Sequence, residues 1–335
     1  MKNFIKTVGL VSGMTGSVLV IASCNSGSSS STPAPAPAPV YGSVAVPTTT
    51  YSSKFALYTS VAGGTPVLTE IDTGSDFLMV ESSYVGSNIV MTNESITYTY
   101  DHGTNPRTGV IGYTTVSLLN GQTGGSVIST NDQVPVIVVA DGVVNSNPKL
   151  NHAIMGLRMN SNVSAKLYLP YPYNQSFIFN APQSQLIFGN FSESQLSSFG
   201  TINLSESSCS NSGVTATATN PCWNDMAIPV NYTISGAPST PMQYNSLFDS
   251  GAASSFQFSP LPSWMNVNSN DVLQNTVSAS LVTTAGSLNI PLTSVVSAYD
   301  SSYNGGIVNV GNNIFNSYQV LFNQQNGTIG LSAAN

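Results

Sequence analysis

Residues 67–75 read Val67-Leu68-Thr69-Glu70-Ile71-Asp72-Thr73-Gly74-Ser75, with an aspartate in a Thr-Gly turn directly after an apolar run. Residues 245–252 read Asn245-Ser246-Leu247-Phe248-Asp249-Ser250-Gly251-Ala252 and repeat that arrangement half a chain later. One copy carries little information, because Asp, Thr and Gly are ordinary turn residues. Two copies predict two similar lobes, each with one carboxylate at the end of a strand.

Two carboxylates that meet at the interface between such lobes have a specific chemistry. Acids too close to ionise together share a proton, and the pair can then activate a water molecule near a peptide carbonyl. We therefore take Asp72 and Asp249 as the candidate catalytic residues.

Composition limits the other function classes. The chain has 335 residues, enough for two domains, and 41% are apolar, but only 6% are charged. A surface with few ionisable groups changes little in charge as the pH falls, so we interpret the composition as acid tolerance. A compositional bias of the source organism would give the same numbers. Five scattered cations beyond the first 23 residues form no basic stripe, so we expect no binding to nucleic acid.

The N-terminal segment has the features of an export signal. Residues 1–23 contain Lys2, Lys6 and an apolar stretch too short to span a bilayer, so we interpret them as a signal peptide. Ile21-Ala22-Ser23-Cys24 resembles the bacterial lipobox, which implies that Cys24 is the lipid-attachment site. Residues 24–50, rich in Ser and Pro, would be a tether. We expect a lipoprotein of the bacterial cell envelope, held at the outer membrane; a plain secreted protein is the alternative.

The two remaining cysteines are Cys209 and Cys222. In an exported chain such a pair forms a disulfide, and no nearby histidine could activate either thiol.

From residue 41 onward the pattern is β nearly throughout, with short Val-, Ile-, Thr- and Tyr-rich runs between Gly, Asn, Pro and Ser clusters. Residues 281–288 read as one such strand. Only residues 192–199 and 269–276 have a pattern compatible with short helices. We place an N-terminal lobe at residues 51–188 and a C-terminal lobe at 189–335, with one of the two aspartates in each.

Six further segments accompany the aspartate turns. They are Gly64-Thr65-Pro66, Ile96-Thr97-Tyr98, Thr108-Gly109-Val110-Ile111-Gly112-Tyr113, Ala153-Ile154-Met155-Gly156-Leu157, Ser184-Gln185-Leu186-Ile187-Phe188-Gly189 and Val310-Gly311-Asn312-Asn313-Ile314-Phe315. In this order, from about Tyr51 to the C-terminus, the chain resembles the pepsin-like aspartic proteases. The resemblance implies an all-β, bilobal fold, with two β-barrel-like lobes around an active-site cleft.

The same resemblance assigns roles around the two aspartates. Thr73 and Ser250 would bond across to the opposite loop, and Ser75 would bond the outer oxygen of Asp72. The two turn glycines, Gly74 and Gly251, would let the loops approach closely.

A hairpin over the cleft, the flap, is implied as well. Tyr98 would close over bound substrate, and Tyr100 is a second candidate because the flap is longer than usual. Met79 stands where many members have tryptophan, so the hydrogen bond between tyrosine and indole is not expected. Ala252 stands where many members have a hydroxyl. We therefore expect a less favoured ionised form of Asp249 and an activity optimum in milder acid than pepsin's.

The sequence thus favours an aspartic-type endopeptidase that cuts polypeptides in acid, acts as a monomer and needs no cofactor or metal. The main alternative is a pepsin-fold module, catalytically weak or inactive, that binds or inhibits other proteins. A β-rich adhesion lipoprotein is a third reading. Intact aspartates and turn glycines favour the enzyme.

Overall fold

β-Strands make up most of the described residues, as the β-branched and aromatic runs predict. The computed structural model describes residues 39–100, 105–145, 151–210, 214–252, 263–269, 272–292 and 307–333. The predicted signal peptide and Cys24 lie outside this range. No helix among the described residues is both long enough and apolar enough to cross a membrane.

Eleven strands precede residue 157. They are β1 Gly42–Pro47, β2 Thr49–Tyr51, β3 Lys54–Val61, β4 Val67–Asp72, β5 Leu78–Glu81, β6 Ile89–Tyr100, β7 Asn105–Thr114, β8 Val116–Leu119, β9 Ser126–Ser129, β10 Val134–Val139 and β11 Ala153–Gly156.

Twelve described strands follow. They are β12 Ser176–Asn180, β13 Gln185–Asn190, β14 Gly200–Asn203, β15 Glu206–Ser207, β16 Cys222–Trp223, β17 Ile228–Ile234, β18 Met242–Leu247, β19 Val277–Thr283, β20 Gly286–Ile290, β21 Val308–Asn309, β22 Tyr318–Asn323 and β23 Thr328–Ala333. The described helices are α1 Glu193–Leu196, α2 Asn313–Ser317 and the 3₁₀ turns Ser82–Tyr84, Ala165–Tyr168 and Ala181–Gln183.

Three larger sheets carry the two aspartate turns and connect them. A ten-stranded sheet has the order β6-β7-β10-β5-β11-β4-β3-β8-β9, with β2 added beside β3. A five-stranded sheet has the order β20-β19-β17-β18-β21. A six-stranded sheet, β1-β13-β12-β22-β23-β14, takes strands from both ends of the chain. Asp72 ends β4 in the first sheet, and Asp249 follows β18 in the second.

Aromatic side chains join the six-stranded sheet to the ten-stranded sheet. The ring centroids of Phe177 and Phe322 lie 4.7 Å apart, as do those of Phe179 and Phe315. Phe55 of β3 packs edge-on to Phe179 at 4.9 Å. Aromatic pairs of this kind contribute about 0.5–1.5 kcal/mol each beyond their burial. The strand that lies beside β4 is therefore fixed against the sheet that spans both halves.

The first described strand, β1, begins before the predicted N-terminal lobe. The strand β1 pairs with β13 over its whole length, from Gly42 with Asn190 to Pro47 with Gln185, and its Val46 is fully buried. This strand lies inside the segment 24–50 that was expected to be a tether. The alternation of buried and exposed residues in β1 explains the pairing. The boundary between lobes at residues 188 and 189 stays a prediction.

Two local expectations were wrong. Residues 281–288 do not form one strand: β19 ends at Thr283, and Gly286, with a φ of +107°, begins β20 after a turn. The described part of 269–276 contains no helix, and Leu273 instead forms an isolated β-bridge with Val267. The helix expected near 192–199 exists as α1, where Ser192 and Gln195 form a capping box.

The disulfide between Cys209 and Cys222 is confirmed. It spans 13 positions and joins the segment after β15 to β16. The N–H of Ser210, next to Cys209, donates to the backbone oxygen of Asn160 in the loop after β11. The bond thus holds this segment close to the loop that follows β11.

We expect the double variant C209S/C222S to lower the free energy of unfolding by about 3 kcal/mol, because closing a loop of this length removes that much chain entropy from the unfolded state. Urea unfolding of the oxidised protein and the variant measures the difference. An unchanged midpoint would contradict a stabilising role for this bond.

Candidate active site

The first aspartate turn is held by β11. This strand runs parallel to β4, with Gly156 opposite Asp72, and lies between β4 and β5. Gly156 N–H donates to the Phe77 oxygen and Leu157 N–H to the Asp72 oxygen, both at 2.8 Å. A Cβ on Gly156 would lie 2.4 Å from the backbone oxygen of Ser75, so only glycine fits there. The segment 153–157 braces the first loop, as predicted.

The second turn has the same construction. The strand β21 runs parallel to β18, with Asn309 opposite Leu247, and Val310 N–H donates to the Leu247 oxygen at 2.9 Å. Beyond it, Asn312 N–H donates to the oxygen of Ala252 at 2.9 Å. The segment 308–311 is therefore the counterpart of 153–156, and both aspartates leave a strand beside a parallel brace.

Four hydrogen bonds tie the two turns together. Thr73 Oγ1 donates to the Phe248 oxygen at 2.7 Å, and Ser250 Oγ donates to the Ile71 oxygen at 2.7 Å. The same hydroxyls accept in return: Ser250 Oγ from Thr73 N–H at 3.1 Å, and Thr73 Oγ1 from Ser250 N–H at 2.9 Å. All the groups are buried, so each bond is shielded from water. The positions predicted for Thr73 and Ser250 match this geometry.

The turn glycines bring each carboxyl against the opposite loop. A Cβ on Gly74 would lie 2.7 Å from the Asp249 carboxyl, and one on Gly251 would lie 2.6 Å from the Asp72 carboxyl. Each glycine also donates its N–H, at 2.8 Å, to Oδ1 of the aspartate two residues before it. The arrangement is thus nearly symmetric, and Asp72 and Asp249 lie on one shared site.

The outer oxygens receive different donors. Ser75 Oγ donates to Oδ2 of Asp72, as predicted. Oδ2 of Asp249 accepts instead from Asn309 Nδ2 at 2.7 Å, and Gly311 N–H donates to Asn309 Oδ1 at 2.9 Å, which fixes the amide orientation. The expectation that Ala252 leaves Asp249 without a donor was wrong, because β21 supplies one. The reason for expecting an activity optimum in milder acid therefore no longer holds.

The sequence contains a signal for Asn309 that motif reading missed. Ala153–Gly156 carries apolar side chains up to its glycine, whereas the counterpart Val308-Asn309-Val310-Gly311 has a polar residue two positions before its glycine. An asparagine in a buried brace strand needs a polar partner.

The electrostatics match a pair that shares a proton. Burial raises the pKa of Asp72, and the negative charge of Asp249 raises it further, while the Ser75 hydroxyl opposes the shift. Asp72 is 6% exposed and Asp249 is partly exposed. The proximity of Asp249 therefore disfavours the ionised form of Asp72.

The predicted flap is the hairpin of β6 and β7, in which Tyr98 lies opposite Arg107. Tyr98 packs edge-on to Phe77, and its hydroxyl accepts the N–H of Asp76 at 3.3 Å. Tyr100 contacts the Tyr98 ring at a centroid distance of 5.0 Å, so both tyrosines lie on the same side of the hairpin. The Tyr98 hydroxyl is thus tied to the backbone of the loop that follows Asp72.

A buried polar network beside the first aspartate was not predicted. Glu70 accepts hydrogen bonds from Lys54 Nζ and from the Tyr51 hydroxyl, both at 2.6 Å, and from Asn151 at 3.1 Å. Glu70 precedes Asp72 by two residues, so its side chain would carry a second negative charge towards the site. The charge of Lys54 offsets that of the carboxylate, and the three donors together fix its position.

A second network supports the loop after Asp72. Asp76 is buried, accepts from Ser210 Oγ at 2.9 Å and lies 3.9 Å from the Arg158 guanidinium. Arg158 in turn donates to Asp225 at 3.1 Å. Burial raises the pKa of Asp76 to about 6, although the charge of Arg158 opposes the shift.

Within the ranges that the structure covers, no three His, Cys, Asp or Glu side chains come together in a way that could hold a metal ion.

Among solved structures, the chain is similar to the crystal structure of an aspartic proteinase from Irpex lacteus, with a TM-score of 0.55. Sequence identity is 15%, and the match covers 87% of this chain and 97% of that one. The fold is the bilobal, pepsin-like all-β fold. No protein-family model matches the chain, and no curated protein matches it.

We expect the free energy of unfolding to fall as the pH rises from 4 to 7. Asp76 binds its proton more tightly when folded, since its pKa rises from 3.8 to about 6. Its stabilisation is therefore complete below pH 4 and is lost as the pH passes 6, which amounts to about 3 kcal/mol. Asp72 acts in the same direction, because its pKa is also raised.

Urea unfolding at pH 4, 5, 6 and 7 measures this dependence. Asp76→Asn should flatten the slope, whereas the exposed Asp132, changed to Asn, should leave it intact. Stability that increases towards pH 7 in the wild type would contradict the account.

We expect Ser250→Ala to destabilise the fold by about 2–4 kcal/mol, because it leaves Thr73 N–H and the Ile71 oxygen buried without a partner. Thermal unfolding measures the loss, and the exposed Ser287, changed to Ala, is the matched control. Equal effects of the two substitutions would show that the bonds across the turns contribute little.

Proposed function

We propose that the chain is an aspartic endopeptidase that hydrolyses peptide bonds in acid, with a water molecule activated between Asp72 and Asp249. The observation that supports this most strongly is the shared site: two carboxyls, each against the glycine of the opposite turn, held by four buried hydrogen bonds. A fold whose only need was stability would not retain two acids at such a distance, since their mutual repulsion is costly.

The chemistry follows from the shared proton. The ionised carboxyl takes a proton from the water molecule, and the water oxygen attacks the peptide carbonyl carbon. At the same time the other carboxyl donates its proton to the carbonyl oxygen. The tetrahedral intermediate then collapses as the carbon–nitrogen bond breaks. The nitrogen takes a proton from the acid that had gained one, and a hydroxyl of the intermediate returns a proton to the other acid as the carbonyl re-forms. Both acids return to their initial state.

The surrounding residues have distinct parts in that proposal. Ser75 and Asn309 donate to the outer oxygens, which leaves the inner oxygens for water and substrate. Tyr98, on the flap, would close over an extended peptide and exclude solvent. Phe77 packs under Tyr98 and holds it near the turn.

We also propose the cellular setting that the sequence indicates. Lipid on Cys24 would anchor the chain as an envelope lipoprotein, with the folded part held from the membrane by the residues before β1. Polypeptides would be its substrates. Labelling with radioactive palmitate, compared between wild type and Cys24→Ala, tests the anchor.

Incubation of the purified protein with denatured globin, in steps from pH 3 to pH 7, tests the enzyme proposal. We expect cleavage in acid that a pepstatin-type inhibitor blocks. Asp72→Asn should lower the rate by at least a thousandfold, because it removes the shared proton from the pair. Asp132→Asn, an exposed site with the same chemical change, should leave the rate unaltered.

Cleavage that persists in Asp72→Asn, or that ignores the inhibitor, would contradict the proposal. Tight binding of the inhibitor or of globin without any cleavage would instead support a pepsin-fold binding module.

We expect Asn309→Ala to move the acid side of the activity profile about one pH unit higher. The side-chain amide of Asn309 donates to Oδ2 of Asp249. A hydrogen bond to an ionised carboxylate favours the ionised form. Without it, a higher pH is needed to ionise the pair.

A second substitution makes this expectation specific. Ala252→Ser, added to Asn309→Ala, places a hydroxyl where Ser75 stands in the first turn, and should move the acid side back towards the wild type. A profile that does not move in Asn309→Ala, or one that Ala252→Ser fails to restore, would show that the amide does not act on the pair.

A further inference from the structure

Arg107 lies on the active-site face of the flap. It is directly opposite Tyr98 in the β6–β7 hairpin, and side chains of directly opposed antiparallel residues share one face of the sheet. Tyr98 meets Asp76 and Phe77 on that face. The guanidinium therefore belongs to the surface that covers the first aspartate turn.

Among the described residues, no acid forms an ion pair with this guanidinium. Its carbon lies 4.7 Å above the Tyr100 ring, a cation–π contact. Its Nε and Nη1 atoms are buried, and neither has a hydrogen-bond partner in the part of the chain that the structure describes. A buried donor without an acceptor is costly, and a charged one more so, which calls for an explanation.

Within the described ranges, the acids Glu70 and Asp72 of the first turn already accept hydrogen bonds. Glu70 binds Lys54 and Tyr51, and both oxygens of Asp72 accept hydrogen bonds within their own turn. The Tyr100 hydroxyl is also buried, and it has no hydrogen-bond partner among the described residues. Burial raises the pKa of Tyr100, the charge of Asp72 adds to the rise, and the charge of Arg107 opposes it. The positive charge of Arg107 thus lies on the flap without an acceptor among the residues that the structure describes.

We propose that Arg107 binds the carboxylate of an aspartate or glutamate side chain in the substrate, on the flap side of the cleaved bond. This inference rests on the proposed peptidase function and adds a substrate class to it: peptides with an acidic residue near the bond. An extended peptide in the cleft carries its side chains alternately to the two sides, so one of them would point at the flap.

The electrostatic setting favours such a preference. The site carries one negative charge on the Asp72–Asp249 pair, which repels an acidic side chain unless a cation offsets it. Lys54 is paired with Glu70, and Arg158 is paired with Asp225. Arg107 is therefore the cation left to do so among the described residues around this turn. A guanidinium also suits a carboxylate better than an ammonium does, because its planar N–H groups match the two oxygens.

Paired peptides test the proposal with the full-length protein at about pH 5. Each pair has both ends blocked and differs only in Glu or Gln at one position, scanned over three residues on each side of the cleaved bond. We expect kcat/KM to favour Glu about tenfold at one position, as a charge-assisted hydrogen bond allows. The ratio should fall to about one in Arg107→Gln and remain partly in Arg107→Lys.

The ratio between the two peptides is the readout, because the loss of the contact with Tyr100 can change the rate on both. Thr108→Gln is the matched control: Thr108 is exposed beside Arg107 on the same strand, where it bonds to Thr97, and the ratio should not move. Equal ratios in wild type and Arg107→Gln at every position would overturn the inference while leaving the peptidase proposal intact.

Binding separates the two proposals. Fluorescence anisotropy measures the binding of labelled Glu and Gln peptides to the Asp72→Asn variant, and this measurement does not depend on cleavage. Tighter binding of the Glu peptide that Arg107→Gln abolishes would support the inference even if the wild type cleaves nothing. A preference seen only with an unblocked C-terminus would assign Arg107 to the chain end and overturn the side-chain proposal.

Discussion

The exchange of buried hydrogen bonds between Thr73 and Ser250 is the constraint on which the site depends. Each hydroxyl donates to the opposite turn and accepts from it, so neither turn can shift without leaving polar groups unpaired. The turn glycines then let the carboxyls approach to a distance that larger residues would block. Proximity of two acids, which is unfavourable by itself, is in this way imposed by neutral groups around them.

The two halves reach the same geometry by different means. Ser75, within the first turn, supplies the donor to Asp72, whereas Asn309, on a strand 60 positions away, supplies the donor to Asp249. Because burial raises the pKa of Asp76, we expect the protein to be more stable in acid than at neutral pH. Stability and the proposed chemistry thus favour the same pH range.

Sequence alone could predict the residues whose roles are local. The aspartate turns, their glycines, the flap strands and the disulfide are each set by short motifs or by cysteine count. The Asn309 contact depends on the register of β18 with β21, which no local pattern specifies. The Asp76–Arg158 network joins distant segments in the same way. The break in residues 281–288 was missed because Gly286 interrupts a run whose other residues favour a strand.

The central claim is that Asp72 and Asp249 act as one unit, and a double-mutant cycle on peptide cleavage tests it most directly. Rates would be measured for Asp72→Asn, for Asp249→Asn and for the double variant at the pH of maximal activity. The account predicts that each single variant loses nearly all activity and that the double variant loses no more. Losses that multiply, or a single variant that still cleaves, would contradict it.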